Sequence, residues 1–368
     1  MQLAILIGAV GATLACFYGF GFLMTGRLIY GFSVGLIAIA MPRSMEETVP
    51  EHLVGVFGGL YCLSFATAVL TAYSLAAILP PDTDTQALVE TKKTLWFFGM
   101  PLIVYTIMLI IQVFYLKNEP IKFLLTHGKT DLATTEVMKF YKYATDRDKA
   151  TEIANILNRS CQKSTSSITI SEAFCSRKYR NGSYVALMVM AIHELNCGNA
   201  VMLQTNAIFA QMKGFALTPR QGTMLIGYWN FFSAACSLFT GKRFTRRFLI
   251  AGGHTLIGVM LLLFGLLNQL DKPDWAFFAL LSYLFVMQTT DNAVTWLYCS
   301  EIAADVSLGF VGVVGYLMTF GLTYAIGPME ASFIGLAGTF YLFGAEQLLA
   351  GLWAYFYLKE TSNGLTDK

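Results

Sequence analysis

The sequence predicts an all-α, polytopic membrane protein, and three observations carry that prediction. Charged residues make up only 13% of the chain, apolar runs of spanning length recur from one end to the other, and a single long charged segment interrupts them. Soluble domains carry about 25% charged residues. A chain of 368 residues that is 55% hydrophobic lacks the polar surface a water-soluble fold of this size exposes. The 29 Phe and 18 Tyr suit lipid-facing and interfacial positions.

A helix needs about 20 apolar residues to cross the hydrocarbon core. Ten runs qualify: 3–23, 28–43, 53–79, 95–116, 183–212, 222–241, 248–270, 275–300, 306–328 and 332–358. The second is short and extends over Arg27 and Arg43 if both side chains snorkel to the interface. With Met1 in the cytoplasm, the inside segments hold nineteen Lys and Arg and the outside segments six, which accounts for all 25. That asymmetry sets both termini inside. Segment 117–182 supplies most of it.

The order is therefore an N-terminal bundle of four helices (1–116), a cytoplasmic loop with short helices (117–182), a six-helix bundle (183–358) and a cytoplasmic tail (359–368). Many transporters join two six-helix halves through such a loop. Four plus six is that plan less its first two helices, so a fragment, a truncated reading frame or a degenerate relative is expected. Within the loop, 131–157 alternates apolar and charged residues and predicts short amphipathic helices. No secretory leader is read at the N-terminus.

Gly26, Gly31 and Gly35, and then Gly55, Gly58 and Gly59, lie at the small-residue spacing that lets helix backbones approach. The seven cysteines show no metal-binding spacing, so neither disulfide nor metal site is expected. No cofactor and no nucleic-acid partner is expected; the partners are a small solute and the lipid bilayer. No phosphate-binding loop is present, so no ATP-driven step is implied.

Polar side chains in mid-membrane cost about 2.5–3.5 kcal/mol each and face a bundle interior or a wet cavity. His193, Glu194, Asn196, Asn199, Gln204 and Asn206 occupy one run. His193, Asn196, Ala200 and Gln204 share a helical face at spacings of three and four. Later runs add Asn230, Gln288, Asp291, Asn292 and Trp296. Asn199, Asn230 and Gln288 offer donors and acceptors to a hydroxyl-rich solute, and Trp296 offers a flat apolar plate. The blander alternatives are helix–helix hydrogen bonds for the amides and an interfacial anchor for Trp296. Glu194 and Asp291 are the expected proton sites, because a carboxylate in a dry setting holds its proton more tightly; pairing with His193 is the alternative.

These residues also carry a resemblance. Gly26-Arg27-Leu28-Ile29 resembles a helix opening, Glu47-Thr48-Val49-Pro50 an acidic-x-x-Pro loop, and Asn118-Glu119-Pro120-Ile121-Lys122 a Pro-Glu-Ser-Pro-Arg motif. His193 to Asn199 resembles Gln-Gln-Leu-Ser-Gly-x-Asn, Lys242 to Arg247 a basic loop, and Lys359 to Gly364 a Pro-Glu-Thr-Lys-Gly tail. Together they resemble the sugar porters, the facilitative glucose transporter-like branch of the major facilitator superfamily, from residue 1 to about 365.

The resemblance implies a major facilitator fold, sugar transport by alternating access and no enzymatic activity. It implies a multi-pass protein, with the plasma membrane as the expected location. It further implies solute contacts at Cys62, His193, Glu194, Asn199, Asn230, Gln288 and Trp296. A cytoplasmic gate is implied at Glu47, Glu119, Lys122, Arg246, Arg247 and Glu301. Departures accompany it. Cys62 stands where the family has a sugar-binding glutamine, His193 and Glu194 where it has a glutamine pair, and Phe320 where it has a tryptophan. Val54 and Leu308 replace two arginines. Two other readings stay open: a non-transporting relative that senses solute, and a proton-coupled symporter of another polar solute.

Overall fold

A computed structural model of the chain describes residues 2–17, 19–49, 51–79, 93–115, 124–125, 127–140, 168–212 and 214–361. Among them are fifteen helices and no strand. They are α1 (Gln2–Ala15), α2 (Phe20–Thr48), α3 (Glu51–Ile78), α4 (Lys93–Phe114), α5 (Thr130–Phe140), α6 (Ile170–Cys175), α7 (Arg180–Leu195) and α8 (Gly198–Leu203). There follow α9 (Thr205–Gln211), α10 (Pro219–Arg243), α11 (Arg246–Gln269), α12 (Pro273–Thr289), α13 (Asp291–Ile302), α14 (Asp305–Ala331) and α15 (Gly335–Tyr357).

Five stretches of helix among the described residues are long and apolar enough to cross a membrane: Phe20–Met41, Val56–Ile78, Arg180–Leu203, Arg246–Gln269 and Val306–Ala331. Helix breaks account for part of the difference from the ten expected runs. The run 3–23 stops at Ala15, and its last residues begin α2. The runs 183–212 and 275–300 are each interrupted, at Cys197 and Gln204 and at Thr290 respectively. The runs 222–241 and 332–358 lie within the continuous helices α10 and α15.

Packing divides the chain into two units, Met1–Pro50 with Phe98–Ala173, and Glu51–Phe97 with Phe174–Lys368. In the first unit α1 lies against α2. Gly11 and Gly26 face each other there, and a Cβ on Gly26 would lie 2.5 Å from the Ala15 nitrogen. Ser33 donates to the Ala4 carbonyl and lies 3.3 Å from the Tyr105 hydroxyl. Gly31 and Gly35, expected to belong to the same close contact, have open space beside them among the described residues. The α1–α2 approach therefore rests on Gly11 and Gly26.

In the second unit α3 packs along α10, and α7 lies against α13 and α14. Cys62, Ala66 and Ala234 are buried where α3 meets α10, and a Cβ on Gly59 would reach 3.0 Å from the Leu238 Cα. The most extensive pairing is α11 with α15. Gly258 and Gly265 on α11, and Gly344 and Gly351 on α15, repeat every seven residues. That period keeps one face turned to its partner along two antiparallel helices. A Cβ on Gly258 would lie 2.8 Å from the Gly344 carbonyl oxygen and 2.9 Å from the Leu348 nitrogen. Backbone atoms cannot step aside as a side chain can. Gly258→Val is therefore expected to force the helices apart and destabilise the protein by about 1–3 kcal/mol. Thermal unfolding in detergent checks this, and a wild-type melting temperature would contradict it.

Candidate functional site

The interrupted helices build the candidate site, because every break frees backbone groups that need partners in a dry setting. Cys197 adopts the left-handed conformation (φ 62°) and ends α7 before α8. The Asn196 side chain holds this turn, its Oδ1 accepting from the Gly198 N–H at 2.7 Å. The freed Asn196 carbonyl accepts from the Tyr283 hydroxyl at 2.7 Å. At the second break, the Tyr73 hydroxyl donates to the Met202 carbonyl (2.6 Å) and Gln204 Nε2 to the Thr323 carbonyl (2.6 Å). At the third, between α12 and α13, Thr240 donates to the Thr289 carbonyl at 2.6 Å.

Asp291 opens α13 and is fully buried. Its Oδ2 lies 2.9 Å from His193 Nδ1 and accepts from Asn196 Nδ2 at 2.5 Å. Its Oδ1 accepts from the Thr295 hydroxyl at 2.5 Å, with His254 Nε2 at 3.6 Å. The Asn196 amide is oriented by its bond to Gly198, so it is the NH2 that faces Asp291. The carboxylate thus acts as an acceptor among donors, the arrangement that satisfies a buried charge.

Gln288, near the end of α12, anchors a second cluster. Its Oε1 accepts from Cys62 Sγ (2.9 Å) and Asn292 Nδ2 (3.0 Å), and its Nε2 donates to Asn230 Oδ1 at 2.5 Å. Asn230 and Gln288 are fully buried. Asn230 Nδ2 has no hydrogen-bond partner among the described residues. A buried amide NH2 with an unused donor is an unspent binding capacity.

Glu194 forms a third cluster on α7. Its Oε2 accepts from Asn199 Nδ2 at 3.3 Å and from the Thr319 hydroxyl. Trp296, half-buried on α13, lies 6.3 Å centroid to centroid from Tyr316 on α14.

At the other end of α13, Arg246 Nη2 pairs with Glu301 Oε1 at 2.6 Å. Glu360 receives the Arg246 and Arg247 backbone N–H groups at 3.2 and 3.1 Å, placing a carboxylate on the positive end of α11. Thr361 donates to Glu301 Oε2 at 2.7 Å, and the Tyr298 hydroxyl donates to the Lys359 carbonyl at 3.0 Å. The Arg247 guanidinium donates to the Tyr355 carbonyl and sits 5.3 Å above the Tyr355 ring. The start of the tail is thereby fastened beneath α11, α13 and α15.

The sequence placed Cys62, Asn230 and Gln288 as separate solute contacts; the structure joins them in one network. His193 and Asn196 meet at Asp291, while Gln204 turns to α14. The expected continuous face from His193 to Gln204 does not form, because Cys197 and Gln204 break the helix between them. Glu47 lies in α2, its side chain outside what is described, and Glu119 and Lys122 lie outside the described residues. Two participants went unnoticed, His254 and Gln347. A lone histidine within the apolar run 248–270 was the available signal, since an ionisable side chain in a membrane helix marks function by default.

Broken helices whose freed groups are met by hydroxyls and amides, with acids and histidines buried beside them, define the class of an integral, multi-pass membrane transporter. Comparison with known proteins makes that class specific. The family described as sugar (and other) transporter matches residues 1–366. Hexose transporter 1 of Plasmodium vivax is 21% identical over 361 residues, 93% of this chain and 70% of that one. Sugar transporter ERD6-like 6 of Arabidopsis thaliana is 24% identical over 356 residues, 92% of this chain and 69% of that one. Among solved structures, the partially occluded inward-open xylose transporter XylE from E. coli aligns with a TM-score of 0.74 at 15% identity, covering 98% of this chain and 81% of that chain. The E. coli fucose:proton symporter FucP aligns at 0.62 and 11% identity, covering 97% and 83%. The chain belongs to the sugar (and other) transporter family: it is a sugar porter with the major facilitator fold, a transporter and not an enzyme.

Proposed function

We propose that the protein carries a small polar solute, a hexose or related sugar first, across its membrane by alternating access. The supporting observation is the pair of interrupted helices, α7/α8 and α12/α13, which bring Glu194 and Gln288 into the interior of one unit with Asn199 and Asn292 half-buried beside them. Beside them Asn230 holds an unused buried donor. A solute hydroxyl can accept from Asn230 Nδ2 and another can donate to Glu194 Oε1, while Trp296 covers an apolar ring face. His193 and Cys62 complete the lining. The functional bundles are 1–116 and 183–358, joined by the cytoplasmic segment 117–182 and followed by the tail 359–368. The plasma membrane, with both termini in the cytoplasm, is the location this reading takes. Arg246 and Arg247, with Glu301, form the cytoplasmic latch.

A second reading, a non-transporting relative that senses solute, draws on one observation: the Gln288 amide is already occupied by Cys62, Asn292 and Asn230 in a buried network. Exchange of radiolabelled D-glucose, and of a panel of pentoses and polyols, in vesicles reconstituted with the protein separates the two. Saturable exchange of one of these solutes is expected. None with any of them, from a correctly folded preparation, removes the transport reading.

A further inference from the structure

His254, which is not among the solute contacts, lies between Gln347, to which it is hydrogen-bonded, and Asp291, 3.6 Å away. Gln347 on α15 fixes its state. Gln347 Nε2 is committed to two acceptors, the Ile192 carbonyl at 3.1 Å and Glu346 Oε2 at 2.7 Å. The oxygen of that amide, Oε1, therefore faces His254 Nδ1 at 2.7 Å. An amide oxygen only accepts, so Nδ1 carries the proton. The variable position is then Nε2, which is buried, has no hydrogen-bond partner among the described residues and lies 3.6 Å from Asp291 Oδ1.

Two states follow. With a proton on Nε2, an imidazolium faces the Asp291 carboxylate and draws α11 toward α13. Without it, a lone pair faces a negative charge and the two repel. Asp291 itself stays an acceptor in both, since His193, Asn196 and Thr295 hold its remaining lone pairs. The other ionisable groups around this chain are His193 and Glu194 from α7, Tyr283 from α12, Cys299 from α13 and Glu346 from α15. Tyr283 is spent on the Asn196 carbonyl, Cys299 on the Ala186 carbonyl and Glu346 on Gln347. Glu194 is bound by Thr319 and Asn199.

The switch sits against the helix break that shapes the site. Gly253, next to His254, packs so closely on Thr290 that a Cβ there would overlap the Thr290 side chain. Asn292, one residue after Asp291, bonds the solute-site Gln288. A change in the His254–Asp291 distance thus moves the α12/α13 break and the groups it presents.

We propose that His254 Nε2 is the proton-binding atom of a proton-linked transport cycle, and that the His254–Asp291–His193 chain transmits its protonation to the solute site. Only the N–H bond forms and breaks. The proton is taken from water on one side and returned to water on the other. The proposal rests on the transport reading above, and Gln347 is a positioning residue within it.

The test uses reconstituted vesicles with D-glucose as solute and a pH-sensitive dye inside. Wild-type protein is expected to carry protons inward with D-glucose, and a one-unit acid-outside gradient to drive about tenfold accumulation at one proton per solute. His254→Gln is expected to keep D-glucose exchange while losing that accumulation and the dye response. Gln347→Leu leaves His254 in place but frees its tautomer; a shifted pH profile for accumulation is expected. Absence of any dye response during wild-type D-glucose entry overturns the proposal, whatever the variants do. So does unchanged proton-driven accumulation in His254→Gln, or, if that variant does not fold, an unchanged pH profile in Gln347→Leu. No D-glucose exchange at any pH removes the hexose-transport reading and this proposal together, which distinguishes that failure from the others.

Discussion

Asp291→Ala is expected to be the most destabilising single change in the second unit, by about 3–5 kcal/mol, the usual cost of removing one partner from a buried, paired charge. The substitution deletes the acceptor that His193, Asn196 and Thr295 share. Each of those donors is buried and would be left without a partner where no water compensates. Asp291→Asn keeps one acceptor oxygen and the shape, so a smaller loss, about 1–2 kcal/mol, is expected. The companion variant Asp291→Leu with His193→Leu removes charge and donor together. It is expected to recover part of the stability lost in Asp291→Ala, since apolar replacement of a whole buried pair is often neutral or better. Thermal unfolding in one detergent compares all three. Equal melting temperatures for wild type and Asp291→Ala would show that the cluster holds nothing together.

Gln288→Leu is expected to raise the concentration of solute giving half-maximal exchange by about 10–100-fold, corresponding to about 1.4–2.8 kcal/mol. Gln288 is the one side chain that accepts from Cys62 and Asn292 while donating to Asn230. Replacing it orphans the Asn230 amide, whose Nδ2 is already unpartnered. Adding Asn230→Leu removes the orphan. The double variant is then expected to be more stable than the single one yet no better at exchange. That divergence between stability and affinity separates a solute ligand from a packing residue. If both properties recover together, Gln288 and Asn230 serve packing alone.

Much of the fold was legible because membrane helices announce themselves by length and apolarity. The charged segment 117–182 likewise marked the middle of the chain without any structure. The breaks were not legible. Neither Cys197 nor Thr290 is a helix breaker by residue type, and the left-handed turn at Cys197 exists because Asn196 bonds Gly198 and Tyr283 takes the freed carbonyl. The first bond is local and the second tertiary, and apolar periodicity reports neither, so the helix was read as if it ran on. For the same reason Gln204 was placed on one face with His193, from which the breaks separate it. Glu194 and Asp291 were conspicuous as acids in apolar runs. That Asp291 belongs with His254 and Glu194 with Thr319 depends on which helices pack together. The heptad of glycines on α11 and α15 was present in the sequence, yet pairing the two helices required the fold.

The most direct measurement is a structure of the protein with 6-bromo-6-deoxy-D-glucose, using the anomalous signal of bromine to place the sugar without ambiguity. Sugar density is expected within contact of Asn199, Asn230, Gln288 and Trp296, with a sugar oxygen in hydrogen-bond range of Asn230 Nδ2. A bromine peak away from these residues, in protein that exchanges D-glucose in vesicles, would contradict the assignment of the solute site to the broken helices.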